Sequence, residues 1–262
     1  MRLFNGQFKR LTITGALSCV AVLTVTALAP AALADEVTLL ASNAVREPYV
    51  EILPDFEKAT GHRVVVDWGA TVDIVKRASD GEAADILIIP HGRVDDLIKR
   101  GVVVDRVDLA RSGIGVAGRA DAPRPALLNA EDLKRALVAA KSVVLSSGPS
   151  SAHMLALFEK MGIADEVKPK LIQLAPGLSV GEAIAEGKGE IGFTQISELL
   201  LVKGINYMGP LPPEIQVVTT FSAGLLAAAR SPDAARALIR FLSGPSAGPV
   251  LRKHGMDPGW PE

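Results

Sequence analysis

Residues 37–67 read VTLLASNAVREPYVEILPDFEKATGHRVVVD. The run Val37-Thr38-Leu39-Leu40 is aliphatic and β-branched, which predicts a strand. From about Ala44 to Thr60, Val50, Leu53 and Phe56 recur at helical spacing, and Gly61 ends that helix. Arg63-Val64-Val65-Val66-Asp67 predicts a second strand. Further on, Val72 to Ser79 reads as a helix that stops near Gly81. Asp85-Ile86-Leu87-Ile88-Ile89 reads as a buried third strand, and a helix follows to Arg100. Strands alternating with helices imply parallel pairing through right-handed crossovers.

The rhythm then changes. Ile114-Gly115-Val116-Ala117 is strand-like, and Pro123-Arg124-Pro125 marks a loop. A second α/β unit follows: helix from Ala130 to Ala140, strand 142–145, helix from about Ser151 to Met161. Next come a strand near 171–173, a helix from Val180 to Glu186 and a strand 190–193. Val217 to Thr220 is strand-like again, and Pro232 to Leu242 is an amphipathic helix with proline at its start, where proline is tolerated. The expected fold is α/β and two-lobed, with residues 35–115 and 220–262 in one lobe and 116–219 in the other. Ligands of such sheets bind beyond the carboxyl ends of the strands.

The N-terminal segment speaks to location. Arg2, Lys9 and Arg10 precede an apolar stretch from Leu11 to Leu33 that holds no acid and closes on Ala32-Leu33-Ala34. That pattern describes a secretory signal peptide cleaved after Ala34, and hence a periplasmic protein. The stretch is long enough to span a membrane, but Gly15, Pro30 and its threonines oppose an anchor. The single cysteine, Cys19, falls inside it, so the remaining 228 residues can form no disulfide or thiolate metal site. Losing three basic residues leaves 25 Lys+Arg against 29 Asp+Glu, a formal charge of −4. No basic stripe with aromatics appears, so nucleic acid is not an expected partner.

Nearly every expected strand end carries a hydroxyl or an amide. Ala41-Ser42-Asn43-Ala44-Val45-Arg46 follows the first strand, and Trp68-Gly69-Ala70-Thr71 the second. Pro90-His91-Gly92-Arg93 follows the third. The second unit offers Ser146-Ser147-Gly148-Pro149-Ser150-Ser151-Ala152-His153, then Gly177-Leu178-Ser179 and Thr194-Gln195. Helix N-termini expose unpaired N–H groups with partial positive charge, so converging ends can hold an anion. Ser, Thr and Asn are also the preferred helix caps, so any single junction has a purely structural explanation.

The stretches Leu40-Ala41-Ser42-Asn43-Ala44, Asp80-Gly81-Glu82-Ala83-Ala84-Asp85-Ile86, Gly187-Lys188-Gly189-Glu190-Ile191-Gly192 and Gln195-Ile196-Ser197-Glu198-Leu199 resemble type II periplasmic substrate-binding proteins. The likeness is to the molybdate-binding proteins of ABC importers, and Phe56-Glu57-Lys58-Ala59-Thr60-Gly61 shares in it. The resemblance implies an interlobe cleft where Ser42, Thr71 and the backbone amides at Ser150 and Ser151 meet an oxyanion. Where many molybdate binders have a tyrosine, this chain has Gln195, which points away from molybdate.

The expected ligand set is Ser42, Asn43, Arg46, Thr71, Ser150, Ser151, Ser179 and Gln195. Arg46, Lys76, Arg77 and Arg93 lie near junctions of the first unit, and a guanidinium forks onto a carboxylate. A di- or tricarboxylate is therefore favoured over molybdate. Two functions compete. One is a monomeric solute receptor that serves an ABC-type permease. The other follows from a resemblance to periplasmic aconitate isomerases, which shift an allylic proton between cis- and trans-aconitate without a cofactor. That chemistry needs a base, and an imidazole titrates near neutrality. His153, ahead of His91, is the expected base, while His62 and His254, beside glycines, are expected at the surface. No H-E-x-x-H, Walker loop, G-x-S-x-G or Cys/His cluster is present, so no metal site is expected.

Overall fold

A computed structural model describes residues 34–122 and 124–260. The expected signal segment and Cys19 lie outside these residues, as does Pro123 of the expected loop. Strand β1 (Glu36–Ser42) leads through a 3₁₀ turn, Asn43–Val45, into α1 (Arg46–Thr60). Gly61 stops α1 at φ 77°, a left-handed conformation that glycine adopts without strain. Then come β2 (Arg63–Gly69), α2 (Thr71–Ser79), β3 (Ile86–Pro90) and α3 (His91–Lys99). Strand β4 runs the whole way from Val103 to Arg119. The chain continues through α4 (Ala130–Ala139), β5 (Val143–Leu145), α5 (Pro149–Lys160), α6 (Ala164–Val167), β6 (Leu171–Gln173), α7 (Val180–Ala185) and β7 (Ile191–Gln195). It closes with β8 (Ile205–Pro210), β9 (Val218–Leu226), α8 (Pro232–Leu242), α9 (Gly248–Lys253) and β10 (Asp257–Pro258).

The strands form one mixed sheet in the order β2-β1-β3-β9-β4-β7-β5-β6, with β8 and β10 also on β4. β1 is parallel to β2 and β3, and β5 is parallel to β6 and β7. β9 is antiparallel to both β3 and β4. Both faces of the sheet are covered, which explains the unbroken apolar runs in β3 and β5. Along β1 and β3, Leu39, Ala41, Ile86 and Ile88 pack with Tyr49, Phe56, Leu238 and Leu251 of α1, α8 and α9. The alternate residues Leu40, Leu87 and Ile89 pack on the other face with Ile74, Val94 and Leu97 of α2 and α3. The second half repeats this arrangement: Val143, Leu145 and Phe193 meet Leu133, Met154 and Phe158, while Val144 faces Val180 and Ile184. Gly192 is where α7 comes closest to β7; an added Cβ there would fall 2.6 Å from Val180 Cγ1.

β4 is longer than its sequence suggests. Its residues 103–113 pair with β9, and 114–118 pair with β7. The first part holds Asp105, Arg106, Asp108 and Arg111, whose charges mask the strand pattern. Each of the four finds a partner: Asp105 pairs with Arg236 at 3.3 Å, Arg106 binds Asp95 at 2.5 Å, Asp108 accepts from the Ser222 hydroxyl at 2.6 Å, and Arg111 donates to the Pro258 carbonyl at 3.1 Å. β8 was likewise not expected; its INYMGP sequence carries little apolar pattern. At the change of partner, a glutamine amide substitutes for missing ladder bonds. Gln216 accepts from Ile114 N–H at 2.8 Å and donates to the Ile114 carbonyl at 3.0 Å. Contrary to expectation, His254 is buried, with Nε2 2.9 Å from the Glu51 carboxylate.

Candidate functional site

The carboxyl ends of β1, β2, β5 and β7 converge on one cavity. Its lining includes Ser42, Asn43, Ala44, Thr71, Ser146, Ser150, Gln195 and Glu198. Its volume is about 50 Å³, room for roughly four water-sized groups. A larger chamber of about 420 Å³ adjoins it, and Asn43, Gly177, Leu178 and Glu198 line both. The outer chamber adds Arg46, Glu47, Ser179, Glu182 and Lys203.

Local folding explains each donor of the inner cavity. Ser42 ends β1 and caps the following turn by accepting from Ala44 N–H at 3.4 Å. Its oxygen also accepts from the Thr71 hydroxyl at 3.3 Å. Two accepted bonds leave the Ser42 proton free to donate to a ligand. Thr71 opens α2, where the first N–H groups lack helical partners. Pro149 stands at the first position of α5, so Ser150 presents the first free N–H of that helix. Ser146 holds this turn together: it accepts from Gly148 N–H at 3.2 Å and lies 3.3 Å from the Ser150 hydroxyl.

Several expected ligand residues have other tasks. Ser151 does not line the cavity, because its hydroxyl donates to the Ser146 carbonyl. Ser179 caps α7 through Glu182 N–H at 3.2 Å and lines only the outer chamber, as does Arg46. Gln195 lines the inner cavity, yet its amide is occupied: Nε2 faces the Ser112 and Gly113 carbonyls at 3.0 and 3.3 Å, and Oε1 accepts from Thr219 at 3.2 Å. Lys76 pairs with Asp80, and Arg77 with Asp67 and Glu82, all on the surface. Arg93 lies 3.9 Å from Asp96. Neither expected histidine lines the cavity. His153 Nε2 engages the Ile215 carbonyl at 3.0 Å, because position five of α5 points away from the helix start, and His91 is exposed.

Glu198, which lies in the stretch Gln195 to Leu199, lines the cavity although it is not among the expected site residues. A carboxyl three residues past a strand end, close to the hydroxyl-bearing strand ends, is the signal in the sequence. Thr194 Oγ1 donates to Glu198 Oε2 at 2.6 Å. Desolvation raises the Glu198 pKa against the opposing hydrogen bonds from Thr194 and the Gln195 backbone. The native state therefore holds this proton more tightly than the unfolded chain does. The resulting stabilisation is complete below the ordinary glutamate range and is lost as pH rises through the raised native pKa. Glu198→Gln should accordingly melt above the wild type at about pH 8, and the gap should close toward about pH 4. Melting curves across that range check it; a constant gap would mean Glu198 is not desolvated. Among the described residues, no group of three or more His, Cys, Asp or Glu is placed to hold a metal ion.

Comparison with known proteins places this geometry. The model of the family described as bacterial extracellular solute-binding protein matches residues 37–257. The chain belongs to that family. Among relatives of this solute-binding protein, the aconitate isomerase of a Pseudomonas species is 31% identical over 229 residues, covering 84% of this chain and 87% of its own length. The molybdate-binding protein ModA of Azotobacter vinelandii is 24% identical over 237 residues, covering 87% and 92%. Among solved structures, the periplasmic molybdate-binding protein of Azotobacter vinelandii superimposes with a TM-score of 0.73 at 15% identity, over 86% of this chain and 100% of that one. The shared fold is the mixed α/β sheet with helices on both faces.

Proposed function

We propose that this solute-binding protein is an aconitate isomerase, moving a proton across the allylic system of a tricarboxylate held in the two chambers. One observation carries the reading: a small pocket of uncharged donors adjoins a larger chamber bearing Arg46 and Lys203. A space of about 50 Å³ takes one carboxylate but not a six-carbon skeleton, which needs the outer chamber as well. In this reading Ser42, Thr71 and the Ser150 N–H seat one carboxylate, and Arg46 forks onto another. Among the described residues, neither Arg46 nor Lys203 takes part in any of the ion pairs, so both remain available. Glu47 and Glu182 line the same chamber and exclude carboxylates from their own vicinity, which orients the substrate. The higher identity to the isomerase than to ModA supports the same choice.

The proposal takes the protein as exported to the periplasm, cleaved after Ala34 and working as a monomer. It takes residues 35–115 with 220–262 as one lobe and 116–219 as the other. A second reading has its own support, since the inner cavity has the size of one tetrahedral oxyanion and, apart from Glu198, its lining is uncharged. It makes the chain a receptor that serves an ABC-type permease. Thermal shift and proton NMR decide between the two. A ligand that binds only the native state raises its melting temperature. Trans-aconitate should do so, and the cis isomer should accumulate. Stabilisation by molybdate, with none by aconitate or citrate and no turnover, would return the protein to the receptor reading.

A further inference from the structure

Moving an allylic proton needs one group that can take it from carbon and give it back. Apart from Glu198, the inner cavity is lined by hydroxyls, backbone, two amides and apolar side chains. Among the described residues lining it, Glu198 alone is titratable. It also lines the outer chamber, so this residue borders both spaces that a six-carbon skeleton would span. Oε2 is held by the Thr194 hydroxyl, and the Gln195 backbone also donates to this carboxyl. We propose that Glu198 is the catalytic base and acid of this site, an assignment that rests on the isomerase reading.

The step balances without a co-reactant. The Glu198 carboxylate takes a proton from the methylene carbon as that C–H bond breaks. The electron pair spreads over the three-carbon unit and its carboxylates. The neutral Glu198 carboxyl then returns the proton to the far allylic carbon, a C–H bond forms there, and the double bond has moved. The turn of the carboxymethyl arm in the site sets whether the new double bond is cis or trans.

The surroundings suit that role. A base works best when its pKa lies near the working pH. Desolvation moves Glu198 upward, in that direction. The turn that carries Glu198 packs against the start of α1, which brings Arg46 and Glu47, and against β4, which presents Gly115. Glu182 of α7 and Lys203 complete the charged groups of the outer chamber. Tyr207 packs near Gly115 but lines neither chamber.

The test compares wild type with Glu198→Gln, which keeps size and hydrogen bonding but cannot take the proton. Trans-aconitate binding is measured by calorimetry and isomerisation by NMR. The variant should bind within a few-fold of wild type and lose roughly 10²–10⁴-fold in kcat. Thr194→Val supplies a readout that a merely structural role would not move. Its hydroxyl favours the charged carboxylate, so its loss should shift the acid limb of the pH–rate profile to higher pH. Wild-type turnover in Glu198→Gln, with an active parent, would overturn the Glu198 assignment and leave the isomerase reading standing. An inactive parent that leaves trans-aconitate unchanged would overturn both.

Discussion

Asp85→Ala should lower the free energy of unfolding by about 3–5 kcal/mol, a large part of a typical domain's stability. Asp85 is 3% exposed and opens the segment leading into β3. One carboxylate oxygen accepts from Thr38 N–H of β1 at 2.8 Å. The other accepts from Arg230 and Ser231 N–H at 2.7 and 2.8 Å. Ser231 is the cap residue of α8 but makes no side-chain cap of its own, so Asp85 caps that helix from across the sheet. Alanine leaves three donors without their charged acceptor. Water reaches the exposed Arg230 side, which keeps the loss below the sum of three separate bonds. Asn in place of Asp85 retains one acceptor and should cost about half as much. Urea denaturation measures both; a loss under about 1 kcal/mol for alanine would show that solvent replaces the carboxylate freely.

Ser42→Ala should weaken ligand binding by roughly tenfold to a hundredfold, the equivalent of about 1.5–3 kcal/mol for one charge-assisted hydrogen bond. The free proton of Ser42, fixed by the two bonds that its oxygen accepts, is the reason. The ligand-free protein should lose no more than about 1 kcal/mol, the value of a helix cap. Calorimetry with trans-aconitate and with molybdate covers both functional readings, using whichever binds the wild type. Unchanged affinity would remove Ser42 from the site.

The parallel units were legible because their strands are buried on both faces and their helices end on glycine or begin on proline. Gly61 and Pro232 stand where the sequence reading put them. What escaped that reading shares one cause, the reliance on partners distant in sequence. The charged half of β4 reads as a loop until Asp95, Ser222 and Pro258 are seen beside it. Asp85 reads as the edge of a strand until residues 230 and 231 close on it. At the site, the serines and Thr71 were visible as hydroxyls after strands. Their division of labour was not, because Ser151 differs from Ser150 in where its proton already goes, and the Gln195 amide is taken up by backbone and Thr219 partners that only the fold brings near. The histidines drew attention through their intrinsic pKa, whereas the carboxyl that lines the cavity acquires its character only through burial.

The place of β9 in the sheet has a consequence for how the chain is made. β9 fills the gap between β3 and β4, pairing residues 105 positions apart (Gly113 with Val218) to 123 apart (Val103 with Leu226). Such contacts require a large loop to close first, which slows folding. During synthesis, the N-terminal half has β1, β2 and β3 in hand but no neighbour to join them to β4. Its sheet stays divided until residue 226 has left the ribosome, with little more than α8, α9 and β10 still to come. A polypeptide arranged this way can complete its central sheet only after most of it has been made, when β9 arrives.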